Sequence, residues 1–223
     1  FCKDSLTGVQ ASGYLNYTGK AMTGAQVAGY VNIALGEVRG VQVAGFANVA
    51  KDVKGSQVSG FLNVAKTVSG SQVSFINLAD SFEQGVPIGF FSFVKQGYHT
   101  FSLGGSELGW AELQFRTGAE KFHNIFAVAI NPIPKSSGWA YGYGAGTKIL
   151  NTKQSDITLD LIAFQVHENE IFTDAYNALY RLSARYEFHP GGKNFAIWGG
   201  PSLNLHQYSL ERFNGEQFES NLA

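Results

Sequence analysis

Residues 1–95 repeat one short pattern of polar and apolar positions. Five copies of G-x-Q-[VA]-[AS]-G-[FY]-x-N follow one another, the fifth shortened to GSQVSFIN, and a degenerate sixth copy (GVPIGFFS) covers Gly85–Ser92. The glutamines, 15 or 16 residues apart, are Gln10, Gln26, Gln42, Gln57 and Gln72. The asparagines that close the copies are Asn16, Asn32, Asn48, Asn63 and Asn77. Self-similarity at a fixed period is typical of stacked repeat architectures.

Within each copy, side chains alternate with a period of two, which predicts a β-strand. In the third copy one predicted face carries Gln42, Ala44, Phe46 and Asn48, and the other carries Val43, Gly45, Ala47 and Val49. A second apolar position recurs at Met22, Val38, Val53 and Val68. Stacking such copies gives a narrow β-solenoid with equivalent residues about 4.8 Å apart. A meander of short antiparallel hairpins is the alternative.

In a solenoid, the glutamine, aromatic and asparagine positions would each form a ladder along the stack. We interpret the amide ladders as internal hydrogen-bonded rows, since buried amides must satisfy one another. The alternative is a binding surface for sugars or an ice-like lattice. Strands this short fall below the roughly 9–11 residues that cross a bilayer, so the repeats are not expected to form a membrane wall.

From residue 96 onward the repeat gives way to longer alternating segments. Seven strands are predicted: Tyr98–Leu103, Leu108–Thr117, Phe122–Asn131, Trp139–Ile149, Asp156–Val166, Ala178–Phe188 and Asn194–His206. The last repeat, Val86–Lys95, is a candidate eighth strand. The sequence therefore predicts an all-β chain with a β-repeat domain at 1–95 and a small antiparallel β-barrel of about eight strands at 96–223.

One face of these strands is apolar and rich in aromatic residues, whereas the other carries four acids and four bases. The charged set is Glu112, Arg116, Lys148, Asp156, Asp160, Arg181, Arg185 and Glu187. A small outer-membrane barrel has an apolar exterior and a polar lumen, whereas a soluble barrel puts apolar residues inside. A β-sandwich with one solvated face shows the same alternation. The pattern favours the membrane barrel, although an eight-strand count from Val86 puts the longer connections on the same side as both chain ends.

Composition supports β-structure and excludes several functions. Gly is frequent, with 27 of 223 residues, while charged residues make up only 15%. A formal net charge of −1 gives no electrostatic reason to expect a nucleic-acid partner. The single cysteine, Cys2, excludes a disulfide framework; it follows Phe1, whereas a processed lipoprotein would begin at its cysteine. No segment approaches the ~18 consecutive apolar residues of a transmembrane helix.

No motif indicates catalysis, a cofactor or a metal. Gly142–Lys148 lacks the spacing of a phosphate loop, and Gly104–Leu108 ends in Leu where a nucleophile elbow needs Gly. The five histidines are scattered, and residues 167–170 are expected to form a solvated loop. Asp156, Asp160 and Glu187 could form an acid–base pair, but arginines on the same face favour ion pairs. We therefore expect a protein that is not an enzyme.

The repeat motif, followed by GVPIGFFSFVKQGYHTFSL and FRTGAEKFHNIF, resembles a family of bacterial surface-repeat proteins. These proteins of Gram-negative bacteria carry similar repeats ahead of a porin-like β-region. LYRLSARYEFHPGGKNFAIWGGPSLNLHQY is similar to the closing hairpin of outer-membrane barrels, although a polar tail, Leu210–Ala223, follows it. The resemblance covers most of the chain. It implies an outer-membrane or cell-surface location and no known catalytic residues.

Three functional hypotheses follow from the sequence. The first is a structural or interaction protein of the bacterial outer membrane, in contact with membrane lipid and with envelope protein partners. The second is a soluble surface-binding module for glycan or protein, and detergent dependence would separate the two. The third, a lipid-modifying barrel hydrolase, lacks a convincing Ser/His/Asp set.

Overall fold

The computed structural model describes residues 1–106, 111–131, 138–168, 175–192 and 194–209, together with Gln217 and Ser220. The chain divides into two compact units, and both are built from β-strands. Unit 1 consists of Phe1–Tyr98 and Thr117–Asn124, and unit 2 of His99–Arg116 and Ile125–Ala223. The predicted all-β class is confirmed.

Unit 1 is a parallel sheet, as a solenoid requires. Its strands are β1 (Leu6–Ser12), β2 (Leu15–Thr18), β3 (Met22–Ala28), β4 (Val31–Ala44), β5 (Ala47–Ser59), β6 (Leu62–Val73), β7 (Ile76–Gln84), β8 (Pro87–Ile88) and β9 (Phe91–Val94). Equivalent repeat positions pair directly, as in Gln26 with Gln42 and Asn48 with Asn63. The solenoid-like stack is confirmed, and the antiparallel meander is excluded because neighbouring coils run in the same direction.

The first glycine of each repeat has a positive φ. Gly40 has φ +134°, and a Cβ there would lie 2.0 Å from the carbonyl oxygen of Gly24 in the coil before it. Such a contact is too close for any side chain, and an L-residue rarely adopts this φ. The repeat therefore needs glycine at this position both for backbone conformation and for stacking.

The interior of unit 1 combines one apolar cluster with the amide rows. The buried apolar side chains are Met22, Ala34, Val38, Ala50, Val53, Ala65, Val68 and Ala79.

The expectation that Phe46 shares a face with Gln42 and Asn48 is wrong. The chain bends at Gly45–Phe46, between β4 and β5, and the bend points Phe46 outward while Asn48 remains fully buried.

Residues 86–95 belong to the parallel sheet, so the expectation that Val86–Lys95 supplies a barrel strand is wrong. In β8 Pro87 pairs with Gln72, and β9 pairs with β7 from Phe91 to Val94. The same two-residue alternation fits both folds, and the stacking of Ser92 beneath Asn77 decides between them.

Unit 2 contains an antiparallel sheet. Its strands are β10 (Tyr98–Gly105), β11 (Ala111–Ala119), β12 (Phe122–Asn131), β13 (Gly138–Asn151), β14 (Ser155–Glu168), β15 (Asn177–Phe188), β16 (Ile197–Gly199) and β17 (Ser202–Tyr208). They are ordered β10 to β16 as in the sequence, and β17 pairs with β15. The predicted strand Asn194–His206 is two strands, because Pro201 lacks the N–H that a continuous ladder needs. Residues 108–110 of the second predicted strand and most of the tail 210–223 lie outside the described residues.

Among the described residues, no strand pair joins β10 to β16 or β17. The structure therefore shows an antiparallel sheet, and its closure into a barrel stays a prediction. One part of its buried face is apolar, built from Ile125, Ala127, Ala129, Ala140, Ile162, Phe164, Val166 and Leu179. The other part of that face carries the charges described below.

Candidate functional sites

The two amide rows run through the interior of unit 1. Gln42 Nε2 donates to Gln26 Oε1 (2.8 Å), and Gln57 Nε2 donates to Gln42 Oε1 (2.8 Å). Asn48 Nδ2 donates both to Asn63 Oδ1 (3.0 Å) and to the carbonyl oxygen of Val58 (2.8 Å). All ten ladder residues except Gln10 are at most 1% exposed. The rows therefore hold the coils together, and their amides are not available to sugars or ice.

The glutamine row ends at Gln72. Its Nε2 donates to Gln57 Oε1 (2.7 Å), but its own Oε1 is buried without a hydrogen-bond partner. The next position is Pro87, which has no side-chain donor. The asparagine row continues one step further, because Asn77 Nδ2 reaches Ser92 Oγ (3.5 Å).

Residues 117–124 cover the end of the asparagine row. Asn124 Oδ1 accepts a hydrogen bond from the backbone N–H of Ser92 (2.9 Å), while Asn124 Nδ2 donates to the carbonyl oxygen of Gly89 (2.8 Å). Thr117 Oγ1 donates to the carbonyl oxygen of Ser92 (3.1 Å). The sequence carries no signal for this cap, because these residues lie outside the repeat and match no motif.

An aromatic ladder follows the outer corner of the coils. Its six rings are Tyr14, Tyr30, Phe46, Phe61, Phe75 and Phe90. Neighbouring ring centroids lie 4.8 to 6.1 Å apart, and the planes differ by 3 to 14°. The predicted aromatic row thus exists, on the outside of the coil.

A small group of charged side chains lies outside the aromatic ladder. Glu37 accepts hydrogen bonds from Arg39 and Lys54, and these bonds lower the pKa of its carboxyl group.

In unit 2 all eight charged residues singled out from the sequence are involved in ion pairs. The pairs are Arg116–Asp160 (2.8 Å), Arg181–Glu112 (2.5 Å), Arg185–Glu187 (2.7 Å) and Lys148–Asp156 (2.8 Å). Every one of these side chains is less than 10% exposed. Burial at this level is unusual for charged groups and requires partners.

Two of the four ion pairs join strands that are distant in the sheet. Arg116 on β11 reaches Asp160 on β14, and Arg181 on β15 reaches Glu112 on β11. Ser102 Oγ on β10 accepts hydrogen bonds from Arg116 (3.1 Å) and Arg185 (2.9 Å). Contacts across three or more strand positions require a strongly curled sheet, so the charged face is concave. Five of the charged residues line a small cavity of about 60 Å³: Glu112, Arg116, Asp160, Arg181 and Arg185. There the Arg185 guanidinium lies 3.9 Å from the Trp198 ring centroid.

The opposite face of the same strands is apolar and exposed. Leu161 is 58% exposed although its neighbour Asp160 is 1% exposed, and Leu182 (48%) stands in the same relation to Arg181 (6%). Other exposed side chains of these strands are Phe101, Leu103, Leu113, Val128, Ile130, Tyr141, Leu159, Tyr186, Leu203 and Leu205. At Asp160–Leu161 and Arg181–Leu182, unit 2 thus buries charge and exposes leucine.

Three buried side chains are close enough to hold a cation. One ligand atom of each of Asp156, Glu187 and His189 lies within 4.8 Å of the others. However, Asp156 Oδ2 already accepts from Lys148 and lies 3.1 Å from His189 Nε2, and Glu187 is paired with Arg185. A metal would have to displace these cations, so the geometry favours an ion-pair network.

The remaining sequence motifs have ordinary structural roles. Gly142, Gly144 and Gly146 lie within β13, where Gly144 packs against Ile162. His167 and Glu168 are buried at the end of β14, not in a solvated loop, whereas residues 169 and 170 lie outside the described part.

Comparison with protein-family models, curated proteins and solved structures finds no match. The resemblance to surface-repeat proteins therefore stays a prediction. Within the described residues there is no helix long and apolar enough to span a membrane.

Proposed function

We propose that this chain is a non-enzymatic structural or interaction protein of the bacterial outer membrane or cell surface. In this proposal the sheet of unit 2 closes into a small barrel within the lipid, and its charged face lines the lumen. Unit 1 offers a rigid repetitive surface to envelope protein partners.

The alternation at Asp160 and Leu161 carries the proposal. Burial of an apolar side chain is worth roughly 1.5–3 kcal/mol in water, so a water-soluble sheet would bury Leu161 and expose Asp160. Unit 2 does the reverse along β11, β14 and β15. A lipid exterior gives this arrangement a physical reason, because apolar side chains then face hydrocarbon.

The strands of unit 2 are long enough for such a barrel. The strands β13 and β14 each contain 14 residues, and β15 contains 12. About 9–11 residues suffice for a tilted strand to cross the hydrocarbon core. The internal ion pairs satisfy the charges that such a barrel encloses.

Fractionation of bacteria that express the full chain tests the proposal. We expect the protein in the outer-membrane fraction, resistant to extraction by salt or carbonate, and migrating differently on a gel before and after heating. A folded, monomeric protein that needs no detergent would overturn the membrane assignment. That outcome would instead support the soluble surface-binding module.

A further inference from the structure

Unit 1 carries a second apolar surface, which we name the apolar corner. It consists of three rows that run along the stack: one before the bend in each coil, one at the bend and one after it. The first row is Val27, Val43, Val58, Val73 and Ile88, the second is the aromatic ladder, and the third is Ile33, Val49, Val64, Leu78 and Phe93. Side chains of the first row are 38–44% exposed, and those of the third row are partly exposed. A contiguous apolar surface of this kind marks an interaction site.

The ring geometry excludes a sugar platform on the aromatic ladder. Sugars stack on the open faces of aromatic rings, but here each internal ring has a neighbouring ring over both faces. Phe46, for example, lies between Tyr30 (4.8 Å) and Phe61 (5.1 Å). Only ring edges point outward, so the ladder presents C–H groups to its surroundings.

The shape of the apolar corner favours a deformable partner. The aromatic row is at a bend, with one strand on each side, so the surface is convex. The backbone groups of these strands are used in the parallel sheet. Protein interfaces combine an apolar centre with complementary shape and about one hydrogen bond per 100–200 Å². A second copy of the same ridge would meet this one only along a line, whereas lipid chains can follow both sides.

Lysines lie along one border of the apolar corner. The next outward row after Ile33, Val49, Val64, Leu78 and Phe93 is Leu35, Lys51, Lys66, Asp80 and Lys95. It carries one acid, Asp80, and three lysines. All three are exposed. Lysine beside an apolar surface is the arrangement that peripheral membrane proteins use towards anionic headgroups.

We propose that the apolar corner of unit 1 lies in the interfacial region of a phospholipid bilayer, with Lys51, Lys66 and Lys95 directed towards anionic headgroups. The contact lies on the membrane and does not span it. The expectation that the repeat strands are shorter than roughly 9–11 residues is wrong for β4, β5 and β6, which contain 14, 13 and 12 residues. The contact goes beyond the proposed function, since it uses only unit 1.

Spin labels on the full chain test this contact. In a Cys2→Ser background, single cysteines are introduced by Val73→Cys on the apolar corner and by Thr67→Cys as a control. Both positions lie on β6, and Thr67 pairs with Asp52 in the charged part of the coil. A third label at Leu161→Cys reports on unit 2. The proteins are reconstituted in phosphatidylcholine–phosphatidylglycerol vesicles, and their circular dichroism is compared with the parent.

The measured quantity is the accessibility of each label to oxygen, which partitions into lipid, relative to a water-soluble nickel chelate. We expect an oxygen-to-nickel ratio several-fold higher at Val73 than at Thr67. Equal ratios would overturn the proposal, and a high ratio at Leu161 in the same preparation would leave the membrane assignment of unit 2 intact. A Val73 label shielded from both reagents, with dipolar broadening between labels, would also overturn it and indicate self-association. If Val73→Cys alters the fold, the same comparison is made with Val43→Cys.

Discussion

The side chain of Asn124 holds the backbone of Ser92 at the end of the solenoid. Its Oδ1 accepts from the Ser92 N–H at 2.9 Å, and both residues are fully buried. An unpaired sheet edge invites pairing with another chain. Asn124 closes part of this edge with a side-chain amide, in the way that each ladder asparagine bonds to the next coil.

We expect Asn124→Ala to destabilise the last coil. The Ser92 N–H would lose its partner in a buried position, which costs about 1–3 kcal/mol. Amide hydrogen exchange at Ser92 and denaturant unfolding measure the effect. Asn194→Ala, at an exposed position, is the control and should change stability by less than about 0.5 kcal/mol. Unchanged protection of Ser92 in Asn124→Ala would contradict the capping role.

The glutamine row predicts different costs at its centre and its end. Gln42→Leu leaves both Gln26 Oε1 and Gln57 Nε2 without their ladder partners. Gln72→Leu leaves only Gln57 Oε1 without one, and it removes an oxygen that has no partner in the parent. At about 1–3 kcal/mol for each unsatisfied group, Gln42→Leu should be clearly the more destabilising change. Equal unfolding free energies for the two variants would show that the ladder hydrogen bonds contribute little.

Removal of one partner from the Arg116–Asp160 pair should cost more than removal of both. Arg116→Met leaves the Asp160 carboxylate buried without its arginine, and such losses cost about 3–5 kcal/mol. The double variant Arg116→Met/Asp160→Leu should recover part of this stability. Unfolding free energies of the single and double variants test the coupling.

An exposed ion pair supplies the control for that experiment. Lys20 Nζ lies 2.6 Å from Asp4 Oδ1, but the two side chains are 67% and 77% exposed. Lys20→Met should therefore change stability little, because water and salt already screen the pair. If Lys20→Met and Arg116→Met had the same effect, burial of the Arg116 pair would not be the cause.

Leu161→Lys tests the outward face of unit 2. If this side chain faces hydrocarbon, a lysine should oppose insertion by up to about 2–4 kcal/mol, depending on depth. The folded, heat-modifiable fraction after reconstitution should fall. Phe195→Lys is the matched control, since Phe195 is similarly exposed (63%) but lies outside the strands. Normal insertion of Leu161→Lys would argue against lipid contact at this position.

Sequence alone determined the features that depend on local alternation and repetition. The spacing of Gln10, Gln26 and Gln42 predicted the register of the stack, because identical residues in parallel coils can satisfy one another. The alternation of Asp160 and Leu161 likewise separated the two faces of β14, since neighbouring side chains in a strand point to opposite sides.

Tertiary structure decided what alternation cannot encode. A bend at Gly45 moved Phe46 to the outside of the coil, and stacking on β7 placed Phe91–Val94 in the solenoid. Asn124 caps a residue 32 positions earlier in the chain, and Arg181 pairs with a carboxylate 69 positions earlier. Such contacts join residues that are far apart in the sequence and come together only in the folded chain, so a local pattern of residues cannot predict them.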